Sequence, residues 1–392
     1  MVKRVAGPAA WAGVVFFLLL ALYHVALTVC TIMAFGTVNP HVEDVRMLHG
    51  YLTLGAGPAG PRAESASPAL FRWHDFEALR LAPAIQRVAA WIVLLIAFVA
   101  VARDAWKSLA PDRLLAAAAT CVLATLLVWN ANVGLFLHDS EALRVVVVIG
   151  AVIAATLAAQ WAPVSERRTL WWAIAVLACA VAMVALGIGI AAFAALVAVA
   201  IVIRAGFATF ALLFVLAAAV GALCLWAVPA SGWQELLTRE WSPQLALLNA
   251  IARIGAVLAE IARPIVRDPA HAFTLAAAAG LATAVPTAVS MLVLLLRGHF
   301  FTPLEVLGVS LFVFGAFANI LIALGRATLF AARPELVLAS DLLIWSCVTW
   351  LGMGLFLVAR LPYAEGRGRT VALVAIALLC LAAIPVAALQ RP

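Results

Sequence analysis

Residues 11–36 read WAGVVFFLLLALYHVALTVCTIMAFG, Trp11 to Gly36, with no acidic or basic group other than His24. Roughly 20 apolar residues cross a hydrocarbon core, and this run is longer. It also exceeds the roughly 7–15-residue apolar stretch of a secretory signal, and no small-residue cleavage site precedes the polar sequence beyond it. The run reads as an uncleaved first membrane span, entered from Lys3 and Arg4.

Runs of the same kind recur along the chain. Expected spans are 11–36, 84–102, 114–136, 145–162, 169–188, 189–203, 206–228, 272–296, 303–325, 341–360 and 370–388. The expectation is an all-α polytopic membrane bundle of about 11 helices. The fifth and sixth meet at Gly187-Ile188-Gly189 with no charge between them, so a tight hairpin is expected there. Composition agrees. Of the 392 residues, 67% are hydrophobic and 11% charged, with mean hydropathy +1.14. Soluble domains carry roughly 25% charge. The net charge of +7 comes with no nucleic-acid motif and fits the basic bias near span ends. All six cysteines fall in apolar runs and none forms a CxxC, so they read as small buried hydrophobes. Abundant Ala, Arg and Trp, with Lys3 and Lys107 as the only lysines, suggest a GC-rich bacterial genome.

Orientation follows from basic residues in short loops. An inward N-terminus places twelve inside: Lys3, Arg4, Arg103, Lys107, Arg113, Arg167, Arg168, Arg204, Arg297, Arg360, Arg367 and Arg369. It places four in short outer segments: Arg144, Arg326, Arg333 and Arg391. The expected location is a bacterial inner membrane, with loops 37–83 and 229–271 outside. In the second loop Asn249, Arg253, Glu260, Arg263 and Arg267 form a polar stripe at helical spacing. That pattern predicts an amphipathic helix at the interface over 243–263; the alternative is a twelfth span with a polar seam.

Polar chemistry concentrates on the outer side. Glu43-Asp44 follow the first span, after Asn39-Pro40. Paired carboxylates suit acid–base work or a divalent cation such as magnesium or manganese, and an acid at a helix start is the alternative. Two related heptapeptides, His74-Asp-Phe-Glu-Ala-Leu-Arg80 and His138-Asp-Ser-Glu-Ala-Leu-Arg144, precede the second and fourth spans. Asp75 and Asp139 read as N-caps, with Glu77 and Glu141 in the first turn. His74 and His138 are left unexplained by capping, and Arg80 is placed to grip phosphate. Further outer candidates for phosphate are Arg46, Arg263, Arg267 and Arg326, with His271 beside them. Arg326 follows Asn319 in an apolar helix, where a polar pair needs a partner or a task. No GxSxG, HExxH or Walker motif occurs.

A Glu-Asp pair in the first outer loop of a protein with about eleven spans resembles the GT-C-type membrane glycosyltransferases. The resemblance implies a sugar donor linked to polyprenyl phosphate and an acceptor hydroxyl deprotonated by Glu43 or Asp44. Span count and the late loop with Arg239, Arg253, Arg263, Arg267 and His271 are also similar to polymerases and ligases of lipid-linked polysaccharide. A transporter or non-catalytic scaffold is the third reading. Expected partners are membrane lipids, the lipid-linked donor and other envelope-assembly proteins, and no nucleic acid.

Overall fold

The computed structural model describes residues 8–35, 83–132, 142–227, 242–339, 342–364 and 366–384. Helix accounts for 88% of the described residues, with no strand among them. The helices are α1 (Pro8–Phe35), α2 (Pro83–Ser108), α3 (Arg113–Leu127), α4 (Ala142–Trp161), α5 (Arg168–Ala185), α6 (Ala191–Val202) and α7 (Phe207–Ala227). Then come α8 (Pro243–Ile254), α9 (Ala256–Ala262), α10 (Pro269–Leu296), α11 (Pro303–Gly325), α12 (Ala327–Ala332), α13 (Leu343–Arg360) and α14 (Arg367–Ala382). Local chemistry sets several starts. Ser242, Asp268 and Thr302 each accept a backbone N–H as N-cap, and each is followed by a proline at the first helical position. Thr302 and Glu305 complete a capping box for α11.

Every expected span contains a helix, but fewer than eleven are long enough to cross a bilayer. Among the described residues seven helices qualify, or eight if the bent pair α8–α9 is one span. This is a multi-pass membrane protein with seven to eight such helices among its described residues. The clearest correction is 114–136, where α3 stops at Leu127 after 15 residues. At 1.5 Å per residue that is about 23 Å, short of the ~30 Å core. Hydropathy runs on past Leu127, but the chain turns into a 3-10 segment at Asn130–Asn132. All side chains of α3 from Leu115 to Leu127 are buried. It is a helix enclosed by protein, which has no lipid thickness to match.

Burial separates inner from outer helices. The spans in α11 and α13 are 72% and 83% buried within the protein, whereas that in α10 is 17% buried. Leu281, Val285, Val289 and Leu292 of α10 are exposed at helical spacing, as lipid-facing residues should be. Lipid tails are as apolar as leucine, so small residues that let backbones approach hold such bundles together. At the α11–α13 contact a Cβ on Gly352 would lie 2.2 Å from the Phe312 nitrogen, and one on Gly308 2.7 Å from the Phe356 nitrogen. The hairpin at Gly187–Ile190 forms as a tight 3-10 turn between α5 and α6.

Side-chain contacts sort the helix ends into two groups. At the first end Arg113 lies over the Trp11 ring, Arg369 pairs with Asp112, Gln160 Nε2 donates to the Pro303 carbonyl (2.9 Å), and Arg360 pairs with Glu305. At the second end Thr28 Oγ1 donates to the Val128 carbonyl (2.6 Å), Trp129 Nε1 to the Ala383 carbonyl (3.0 Å), and Asn132 Nδ2 to Cys347 Sγ (3.6 Å). His24 Nε2 lies 3.0 Å from the Cys380 carbonyl, so this buried histidine has a main-chain partner.

Candidate functional site

The second end carries a broken helix with charge inside it. After Ser242-Pro243 the chain runs through α8, breaks at Gly255, and resumes as α9 with a bend of 57°. Backbone approach accounts for glycine at the break. A Cβ on Gly255 would sit 1.9 Å from the Ala276 carbonyl oxygen of α10, and one on the facing Gly280 would sit 2.0 Å from that of Ile251. Carbonyls released at a break inside a membrane bundle need donors. The Arg253 carbonyl accepts from Ser346 Oγ (2.5 Å) and the Ile254 carbonyl from Trp350 Nε1 (2.6 Å), both on α13.

The polar stripe expected to face the interface turns inward for most of its length. Asn249, Arg253 and Glu260 are buried, with Arg253 only 1% exposed. Its guanidinium donates from Nη1 to the Val337 carbonyl (3.0 Å) and from Nη2 to the Leu342 carbonyl (2.8 Å). One side chain on α8 thereby ties down both ends of the connection leading into α13. Asn319 is equally buried. Its Nδ2 donates to the Gly315 carbonyl (2.9 Å) and to Thr349 Oγ1 (3.2 Å). The expected buried pair of Asn319 and Arg326 does not form as such, because Arg326 is exposed at the C-cap of α11.

Around this buried core the outer arginines emerge on neighbouring connections. Arg263 pairs through Nη1 with buried Glu260 (3.1 Å) while its own side chain stays 62% exposed. Arg267, His271 and Arg333 are exposed as well. The connection bearing Arg326 and Arg333 packs on α8 through α12, so this basic rim lies beside the helix break. His271 pairs with Asp268, which also caps α10 by accepting from the Ala270 N–H (3.3 Å). The Ala270 N–H, then His271, hold the Asp268 carboxyl below the usual carboxylate range. A depressed folded-state value means that its contribution is present above the unfolded-state value and is lost as pH falls through the folded one. Acid titration of the thermal midpoint should therefore be flatter in Asp268→Asn than in the native chain. Identical acid limbs would remove this role.

Of the residues singled out in the sequence, Arg263, Arg267, His271 and Arg326 belong to this rim. Glu43, Asp44, Arg46, His74, Arg80 and His138 lie outside the described residues. No group of three or more His, Cys, Asp or Glu side chains could hold a metal ion among the described residues. Cys121, Cys179, Cys347 and Cys380 are buried free thiols, whereas Cys30 on α1 is exposed, against the expectation for it.

Sequence reasoning overlooked one cluster at the first end. Glu305 is fully buried, with Arg360 Nη1 at 3.1 Å and His299 Nε2 at 3.3 Å, and it accepts from the Thr302 N–H at 2.7 Å. The Thr-Pro-Leu-Glu spacing was a legible capping signal for it. The cluster ties the start of α11 to the end of α13. No family model matches the chain, and neither a characterised protein nor a solved structure is detectably similar to it.

Proposed function

We propose that this protein is an envelope glycosyltransferase of a bacterial inner membrane, with its second end outward and its N-terminus cytoplasmic. It moves a sugar from a polyprenyl-phosphate-linked donor to an acceptor at the outer face. The observation that carries this reading is the exposed rim of Arg263, Arg267, Arg326, Arg333 and His271 beside a helix break, on the end opposite the more basic one. Arginine is disfavoured in outer segments, and its planar fork suits the oxygens of a departing phosphate. Glu43 or Asp44 deprotonates the acceptor hydroxyl, which attacks the anomeric carbon as the carrier phosphate leaves with the bonding pair. A magnesium or manganese ion suits those carboxylates.

A second reading is a polymerase or ligase of lipid-linked polysaccharide. It is favoured by the exposure of Arg263, Arg267 and His271 between the end of α9 and the first turn of α10. A transporter or scaffold would instead draw on the broken α8–α9 pair with its buried Arg253 and Glu260. Two measurements test the proposal. In sealed spheroplasts a membrane-impermeant maleimide should label Ala270→Cys and not Ala110→Cys; the reverse pattern overturns the orientation. Purified protein in lipid should move label from polyprenyl-phosphate sugars to a glycan or lipid acceptor. Absence of transfer across a panel of such donors overturns the enzymatic reading.

A further inference from the structure

At the first end, α6 and α10 close with the same backbone motif. After α6 the Ala205 N–H reaches the Ala200 carbonyl and the Arg204 N–H that of Ile201. After α10 the His299 N–H reaches the Leu294 carbonyl and the Gly298 N–H that of Leu295. This paired bonding needs a left-handed residue at the position after the cap, where glycine is usual because it has no Cβ. Gly298 fills it with φ 71°, but α6 has Arg204 there at φ 55°, the only non-glycine residue with positive φ among the described residues. A cap alone would be better served by glycine. The arginine is retained at a conformational cost, so its side chain is the reason to look for a task.

That side chain has a defined place. Its guanidinium lies over the Phe300 ring, 4.4 Å from the centroid, and its Nη2 would be 3.3 Å from a Cβ on Gly298. Arg204 also lines an open cavity of about 210 Å³ together with Gln160, Val202, Phe301, Pro303 and Val306. One cation and one amide stand over apolar walls. Gln160 commits its Nε2 to the Pro303 carbonyl, leaving Oε1 to accept from a hydroxyl. Phe300, which also lines the cavity, is 78% exposed, and Phe207 and Leu296, a few residues along the chain from Arg204 and Phe300, are 85% and 76% exposed. Arg167, Arg168 and Arg297 are exposed at the same end. Side chains of this kind meet acyl chains and anionic headgroups at a bilayer surface.

We propose that this cavity binds one acidic phospholipid with a hydroxylated headgroup. The phosphate lies on Arg204, a headgroup hydroxyl donates to Gln160, and an acyl chain runs along Phe300 and Leu296. The full-length protein in phosphatidylcholine nanodiscs, titrated with phosphatidylglycerol, gives the test. The native chain should show a rising thermal midpoint and a specifically bound lipid by native mass spectrometry. Arg204→Gly should bind that lipid roughly tenfold or more weakly and lose the shift, since a charge-assisted bond is gone. Its midpoint in pure phosphatidylcholine should equal or exceed the native value, because glycine fits the left-handed cap. A site without function cannot produce that opposition of stability and binding. Should the glycine variant misfold, Arg204→Asn, which also tolerates this backbone region, carries the same comparison. A full phosphatidylglycerol shift in either folded variant overturns the site. Equal stabilisation by soluble glycerol phosphate overturns a lipid as the ligand.

Discussion

Replacing Arg253 with methionine is expected to destabilise the protein by about 2–6 kcal/mol, because two buried carbonyls each lose a donor at a cost of about 1–3 kcal/mol. Methionine keeps an unbranched chain of similar reach and removes the donors. The Val337 and Leu342 carbonyls then lose the guanidinium that now satisfies them. Both residues are buried, and an unmet buried polar group costs about 1–3 kcal/mol. Lysine should recover only part of the loss, because a single ammonium cannot reproduce the fork that spans both carbonyls. The magnitude separates two pictures of this helix. If Arg253 were a solvent-exposed member of an interfacial stripe, its removal would change stability by about 0–1 kcal/mol. Detergent unfolding midpoints of Arg253→Met and Arg253→Lys decide the point, and a loss under about 1 kcal/mol for methionine would sink the buried-clamp account. Hydrogen exchange gives an independent reading, since the 334–342 connection should lose protection before α11 does.

The same residue shows where sequence reading stops. Periodicity placed Asn249 and Arg253 on one face of α8 correctly, because 3.6 residues per turn is a local property, but it gave no sign of the 57° break that puts Glu260 on α9. Which way the face points is not local. In water a polar stripe on an apolar helix looks outward; in a membrane bundle the outside is hydrocarbon, so the same stripe packs inward. The partners of Arg253 lie 84 and 89 residues along the chain and are main-chain carbonyls, which leave no mark in a residue pattern. Boundaries were legible at some caps and missed at others: the Asp268-Pro269 start of α10 precedes the expected 272 by three residues. The expected span 303–325 coincides with α11 because Thr302-Pro303 starts it. Asn130 and Asn132 mark the end of α3 in the sequence, but the buried Trp129, with its Nε1 on the Ala383 carbonyl, gives no sign there of its distant partner. The rim residues Arg263, Arg267, His271 and Arg326 were identified from charge on the side where it is disfavoured. All four are exposed in the structure, whereas Arg253, singled out in the same expected outer loop, is buried.

Glu43→Gln or Asp44→Asn is expected to reduce sugar transfer by about 10²–10⁴-fold, the range for losing a general base. Neither residue lies in the described part of the structure, so the argument is one of sequence and chemistry. The pair follows an X-Pro step at Asn39-Pro40, which favours a shaped loop over a helix run through. Loops held by a rigid scaffold are where catalytic groups concentrate. The neutral amide keeps shape and hydrogen bonding but cannot take the acceptor proton, so expression and thermal midpoint should stay near native while transfer falls. Asp75→Asn and Asp139→Asn form the contrast. Read as N-caps from the sequence pattern, they should stay near native in stability, because asparagine caps as well as aspartate, and should leave turnover intact; alanine at either position should cost about 1 kcal/mol. The four variants should be compared for expression, midpoint in detergent, and transfer from a polyprenyl-linked donor of the kind proposed above. If both first-loop amides transfer at the native rate, the base is not there. The exposed segment with Arg263, Arg267 and His271 then becomes the catalytic centre to test, and the polymerase or ligase reading displaces the glycosyltransferase one.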